Sequence, residues 1–472
     1  MDQLPLEMLQ LIFEHLDFLS QIRIRQCCQF FLLLRITDFY HLDKKYIKGI
    51  TGAVLKQHPY INQLNIYNNT NITNEDLKGL TLRKLNVGGN LEMKINDISY
   101  FTDLKSLNIS WSYSRINNNQ LSNLSLTKLN LSGTYDINNI RHMTSLKRLK
   151  ATHICDITNQ DIANLDLLEL SLLHNHKIKE ISHLTNLKKL NARFSSIYND
   201  QLKNINLIEL DCTDNEDITE IKHMTNLRVL KTNFSLEDKE LVDLNLIEHD
   251  ASYNDNIKKI GHLTNLRKLD ASGTEISDQE LLNLNLIELN VFANPNIKQI
   301  SHLTNLIELD AGGDCGITDE ELINLNLIKL DAWDNPKIRQ ISHLTNLRKL
   351  NAGGNCSITD KELLNLDLIE LEVSDNPKIK QISHLTNLLK LSVAGLCEIT
   401  DDDIINLDLI ELDACDNPKI KQISHLTNLQ KLNAGGNCGI TDDDLINLNL
   451  SELYSNDNAK INYHLWKTTK YS

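Results

Sequence analysis

Residues 306–341 read LIELDAGGDCGITDEELINLNLIKLDAWDNPKIRQI, and they contain the same phrase twice. Leu306, Leu309, Ala311, Ile317, Leu322 and Leu325 are answered by Leu327, Leu330, Ala332, Ile338 and Ile341, and Leu347 opens the next copy. Leu309 and Ala311 alternate with residue 310, the signature of a short strand with one buried face. One such strand cannot bury that face alone. Copies stacked in register can, as a parallel sheet advancing about 4.8 Å per coil.

Working outward, His-Leu-Thr-Asn-Leu begins at His183, His262, His302, His343, His384 and His425, with Met in second place after His142 and His223. A degenerate copy opens at Tyr100. The period is about 41 residues and holds two coils, giving roughly twenty coils between residues 61 and 461. Asn335 and its equivalents Asn294, Asn376 and Asn417 end the strands. An amide there can satisfy backbone groups of the turn and of neighbouring coils. Thr318-x-x-Glu321 and Thr359-x-x-Glu362 read as capping boxes opening a short helical turn in the first coil type. Asn335-Pro336 makes the second type tighter.

Both coils fit the leucine-rich-repeat pattern LxxLxLxxNxxI. The first, as in Cys356-Ser-Ile-Thr-Asp-Lys-Glu-Leu363, resembles the cysteine-containing repeats of F-box proteins, although Asn355 holds the usual cysteine position and Cys356 follows it. The second, Asn335 to Leu344, is similar to the repeats of phosphatase regulators and internalin-like proteins. The expected fold is an α/β solenoid, a leucine-rich-repeat array with a parallel concave sheet, plus a small all-α N-terminal module. The boundaries read as 1–45 for the module, 46–60 for a linker or cap, 61–461 for the repeats and 462–472 for a tail.

The N-terminal module carries Leu4-Pro5-Leu6-Glu7, then Met8, Leu9, Ile12, Phe13 and Leu16 at helical spacing, with Cys27 and Phe30 beyond. It resembles an F-box, with Gln26 where that family usually has Val. The resemblance implies docking on a Skp-type adaptor of cullin-RING ubiquitin ligases through Leu4, Pro5, Ile12 and Leu16. The alternative is a helical cap shielding the first coil, which repeat arrays need. The bias toward Asn, Ile and Lys in near-identical coils resembles F-box and repeat proteins of giant DNA viruses of amoebae, which implies a host cytoplasm as the working compartment.

Composition narrows the function. The 472 residues carry a formal charge of -15, which disfavours nucleic acid as partner. Neither a secretory leader nor a membrane-spanning apolar run is read, and nine cysteines without a leader fit an intracellular, cytoplasmic, reducing setting. Equivalent histidines recur two coils apart, about 10 Å, too far to share a metal, and read as local backbone partners. Cys315, Cys356, Cys397 and Cys438 form a similar ladder of small packing residues, beyond disulfide reach. Gly312-Gly313, Gly353-Gly354 and Gly435-Gly436 lack the Lys-Ser/Thr of a phosphate loop, and Asp401-Asp402-Asp403 reads as solvated charge at a helix start. No nucleophile, base and oxyanion donor converge, so neither an enzyme nor a cofactor is expected.

Two patterns remain for recognition. The residue before the central Leu alternates in charge as Arg148, Glu169, Lys189 and Glu209, and again from Lys349 to Glu452, but Glu308 and Lys329 invert the order. After the Ala position, large residues break the uniformity: Arg193, Phe194, Phe234, Tyr253, Phe292 and Trp333. Either these are exposed partner-binding anchors or their rings fold back over the sheet edge. Trp333, between Gly312 and Gly353, is expected to be uncovered. The leading expectation is a substrate receptor joining an adaptor to an unknown target. A repeat scaffold without a ubiquitin role is the alternative, and a secreted adhesion protein a third.

Overall fold

The computed structural model describes residues 6–27, 31, 33–42, 44–89, 94–112 and 116–462. It comprises two compact units, Met1–Leu227 and Arg228–Ser472.

The first unit opens with helices α1 (Leu6–Glu14) and α2 (Phe18–Cys27). Leu9 and Phe13 of α1 are buried with Leu34, Ile36 and Phe39, and the Phe18 ring meets Phe39 edge-on at 5.6 Å. Asp17 caps α2 by accepting from the Ser20 amide at 3.0 Å. The helices therefore close over Asp38–Phe39, the first strand, which pairs in parallel with Gln63–Asn65. Further parallel strands follow one per coil to Glu209–Asp211, in strict chain order. The second unit repeats the plan from Val229–Lys231 to Glu452–Tyr454. Among the described residues the first unit holds nine strands and the second twelve.

The strands are three residues long because only the central Leu and the small residue after it point inward. Leu309 and Ala311 are buried, and Leu309 pairs with Leu330 in register. First-type coils carry a four-residue helix, as at Asp319–Leu322 and Asp360–Leu363. From Gln63–Asn65 onward, each strand is followed, two residues past the Ala position, by a left-handed residue, φ 41–74°. Gly313, Gly354 and Gly436 fill it in the Gly-Gly coils, which accounts for those pairs.

Side chains staple the coils. The Asn335 amide donates to the Ala311 carbonyl at 2.7 Å and accepts from the Lys337 N–H at 2.9 Å; Asn376 and Asn417 repeat this. Each repeated histidine bonds a carbonyl of the preceding coil, as His343 Nε2 does with Leu322 at 3.0 Å. Asp319 accepts two amides of the following coil, Arg339 and Gln340. Asp401 does the same with Lys421 and Gln422, and Asp403 is buried in a capping box with Thr400, so this acid run is structural rather than merely solvated.

The expected capping boxes at Thr318 and Thr359 do not form. Glu321 turns away from its own helix and accepts from the Ile300 and Ser301 amides, at 2.7 and 2.9 Å, and Glu362 takes Ile341 and Ser342. With threonine as N-cap, capping boxes form where the third helical residue is Asp, at Thr73–Asp76, Thr158–Asp161 and Thr441–Asp444; Asn117 forms one with Gln120.

Candidate protein-interaction surfaces

Three surfaces stand out: the outer face of α1, the outward faces of the strands, and the turn edge that follows them.

The spacing of residues 8, 9, 12, 13 and 16 suggested one apolar face on α1. The structure divides it. Leu9 and Phe13 point inward and Leu16 is half-buried, while Met8, Leu11 and Ile12 are about half exposed (48, 55 and 53 %). Leu6 adds to the outer face. The helix is thus apolar on two sides, and one side has no intramolecular cover among the described residues. Gln10 fixes its position by a reciprocal pair with the Arg35 backbone, at 2.8 and 2.9 Å. Leu4 and Pro5 lie outside the described residues. Leu6 and Leu11 were missed by sequence reasoning; an apolar count too high for one helical face was the available signal.

On the strands, the alternating charges face one another as expected. Arg148 pairs with Glu169 at 3.1 Å, Lys268 with Glu288 at 2.6 Å and Lys431 with Glu411 at 2.9 Å. The inverted stretch puts Glu288 opposite Glu308 and Lys329 opposite Lys349. Two places further along the same strands, Asp310 stands opposite Asp331. Burial pushes the Asp310 carboxyl up to about 6, and the charges of Asp331 and Asp270 add to the shift.

The turn edge carries the rings. Trp333 is not uncovered: its ring lies on Gly353, where a Cβ would overlap it, and the side chain is half-buried. Phe292 lies on Gly312 in the same way. Glycine one coil on is the seat of the ring rather than a gap beside it. Tyr253 shares this geometry over Gly273 yet remains 53 % exposed, and Phe234 is 58 % exposed. In the first unit Phe194 stacks on His174 with centroids 4.5 Å apart, and His174 in turn lies 5.2 Å from His153. His153 lies 4.9 Å from Trp111, a 48 % exposed ring that sequence reasoning passed over. Arg193 pairs with Asp214 at 3.0 Å and lies over the Phe194 ring. Aromatic residues at left-handed positions are uncommon, and Trp111, Phe194, Phe234 and Tyr253 all sit there.

The thiols of Cys315, Cys356 and Cys397 are buried and pushed up to about 11 by that burial, which makes them inert packing groups. Among the described residues no group of three or more His, Cys, Asp or Glu is placed to hold a metal, and no helix is long and apolar enough to cross a membrane.

Residues 1–33 match the family model of the F-box domain. No curated protein matches the chain in sequence. Solved structures similar to it include the functional domain of InlJ from Listeria monocytogenes, 20 % identical over 81 % of this chain and 74 % of that one, with a TM-score of 0.35. The yeast Rad7–Elc1 complex is 18 % identical over 66 % and 82 %, with a TM-score of 0.39. An internalin, InlF, from the same Listeria species is 19 % identical over 83 % and 94 %, with a TM-score of 0.32.

Proposed function

We propose that this chain is a substrate-receptor adaptor of a Skp–cullin–F-box type ubiquitin ligase, in which the N-terminal module holds a Skp-type adaptor and the repeats hold a target protein. The observation that carries this reading is the outer face of α1. Leu6, Met8, Leu11 and Ile12 are apolar and exposed within the segment that matches the F-box, while Leu9 and Phe13 of the same helix anchor it from behind. A helix serving only as a cap needs the inner face alone. Leu4, Pro5, Ile12 and Leu16 are the proposed contacts, with Leu11 added by the structure. On the repeats, Phe234 and Tyr253 present the most open rings of those singled out; Phe292 and Trp333 lie along the turn edge of the same unit, and Arg193 and Phe194 on the turn edge of the first. Ubiquitin transfer would belong to the partners. A host-cell cytoplasm as the setting rests on the compositional resemblance to giant-virus proteins.

The test is co-purification with the Skp homologue of the cell in which the protein acts. Leu11→Asp with Ile12→Asp places charge only on the exposed face, so the fold should persist. The adaptor should be recovered with the unaltered chain and lost with the variant. Failure of the unaltered chain to bind any Skp homologue would leave the helices as a cap and the repeats as a scaffold without a ubiquitin role.

A further inference from the structure

The outward faces of the strands are not uniform. Between Gln63–Asn65 and Arg148–Lys150 the first and third strand positions hold Lys84, Lys128, Arg148 and Lys150, and otherwise only Gln, Asn and Ser. No strand residue in this span is acidic. The strip is bounded by Asp38 on the first strand, which pairs with His41, and by Glu169 on the other side, which pairs with Arg148. In the second unit the third strand position is instead acidic at Asp250, Asp270, Asp310, Asp331, Glu372 and Asp413. A cationic strip on a chain of charge -15 runs against the overall composition.

Two of its four charges, Lys128 and Lys150, are available. Lys128, Arg148 and Lys150 are exposed, and among the described residues no carboxylate lies within ion-pair reach of Lys128 or Lys150. Lys84 is half-buried against the Tyr40 ring, its ammonium 3.5 Å from the ring centre. Burial, with Lys128 adding to it, holds its pKa below the ordinary lysine value, while Asp38 acts in the opposite direction. The exposed Trp111 ring stands at the turn edge of the strand at Ser106–Asn108, inside the strip. An exposed Trp and an Arg are residue types enriched at binding hot spots, and the lysines add a field that steers an anionic partner.

We propose that this strip, Lys84 to Lys150 with Trp111 at its edge, receives an acidic peptide segment of the target. The proposal rests on the reading of the repeats as target receptor and names the chemistry of what they receive. Charge complementarity favours an anionic ligand, and extent favours a peptide. Three interstrand steps make the strip about 14 Å wide, a span that about four extended residues cross. A polynucleotide would run past it on to Asp38 or Glu169 and meet a chain of net negative charge.

The experiment is selection of a displayed library of random short peptides on the full chain, beside Lys128→Glu with Lys150→Glu, and Trp111→Ala. Peptides enriched on the unaltered chain should be rich in Asp and Glu, and salt should weaken them. The double charge reversal should reduce their binding about tenfold or more, and Trp111→Ala should weaken it further in combination. A pool with no acidic enrichment, or one held equally by the reversed variant, overturns the proposal. So does displacement of the selected peptides by a poly-uridine oligonucleotide at lower concentration than by free acidic peptide, which would assign the strip to nucleic acid. Both lysines are exposed, so unchanged thermal unfolding checks the fold. Retention of the Skp homologue by the variant separates failure here from failure of the adaptor reading.

Discussion

A single methylene decides where an acid works in these coils. At the third residue of the short helices, Asp76, Asp161 and Asp403 reach back to their own threonine, whereas Glu280, Glu321 and Glu362 reach the backbone of the preceding coil. Both satisfy amides that burial would otherwise leave unpaired, but only the longer side chain ties two coils together. His249 breaks such accounting, as do Arg25 Nε and Asp161 Oδ1. His249 takes the inward Leu position of the strand Glu248–Asp250, is fully buried, and leaves Nε2 without a partner among the described residues while Nδ1 lies 3.3 Å from the Leu230 carbonyl. Burial holds its pKa down at about 4, against an ordinary 6.5. The neutral ring is therefore favoured in the folded state, and the unfolded chain binds the extra proton. Its contribution is intact above pH 6.5 and is lost as pH falls toward 4. His249→Leu should raise stability by about 1–2 kcal/mol at neutral pH, by removing an unpaired buried group, and flatten the acid-side decline. Urea unfolding midpoints at pH 7.5 and pH 5 measure both effects. A destabilised variant, or one with the same pH response as the unaltered chain, would show that the ring has a structural partner.

At the scale of strands and turns, the sheet is stabilised by register as much as by burial. Opposite charges on adjacent strands are each worth roughly 0.2–1 kcal/mol, and the alternation keeps them adjacent. The inverted residues Glu308 and Lys329 keep one mutual contact, at 3.4 Å, and create like pairs on both sides. Exchanging them, Glu308→Lys with Lys329→Glu, restores alternation from Lys268 to Glu370. The exchange should stabilise the second unit by about 1 kcal/mol at low salt and by less at high salt. Thermal unfolding at two ionic strengths reads this, and a neutral or destabilising result refutes the ladder. The order of charges, the buried Leu and Ala columns and the Asn ladder were all legible in the sequence, because each reports on one strand with a fixed period. The histidine contacts were legible only in kind: the carbonyl is that of the preceding coil rather than of the local turn. The destination of Glu321, the seat of Trp333 on Gly353 and the two-faced α1 were not. Each depends on a neighbour one coil away or on side-chain reach, and neither leaves a period in the local sequence. An aromatic followed by glycine one coil later, as in Trp111 and Gly133 or Tyr253 and Gly273, is a pairing that a search for repeats alone passes over.

For the molecule as a whole, the hydrogen bonds that join coils among the described residues reach one coil forward or one back, Lys84 to His41 excepted, as do the strand pairings. Stability in such an array is close to a sum of local terms, and a surface change in one place has little means of propagating to another. The proposed adaptor surface on α1 and the proposed cationic strip use no residue in common. The strip's residues nearest the helices, Lys84 and its partner Tyr40, are absent from the outer face of α1. Independence of the two activities is therefore expected. Leu11→Asp with Ile12→Asp should abolish recovery of the Skp homologue and leave the affinity for selected acidic peptides within about twofold of the unaltered chain. Lys128→Glu with Lys150→Glu should do the reverse. Combining the four changes should give the product of the separate effects on each readout. The measurement is adaptor co-purification and peptide fluorescence anisotropy on the same four preparations. If either pair of changes removes both activities while thermal unfolding stays cooperative and unshifted, the helices and the repeats act as one binding unit, and the division of labour between them fails.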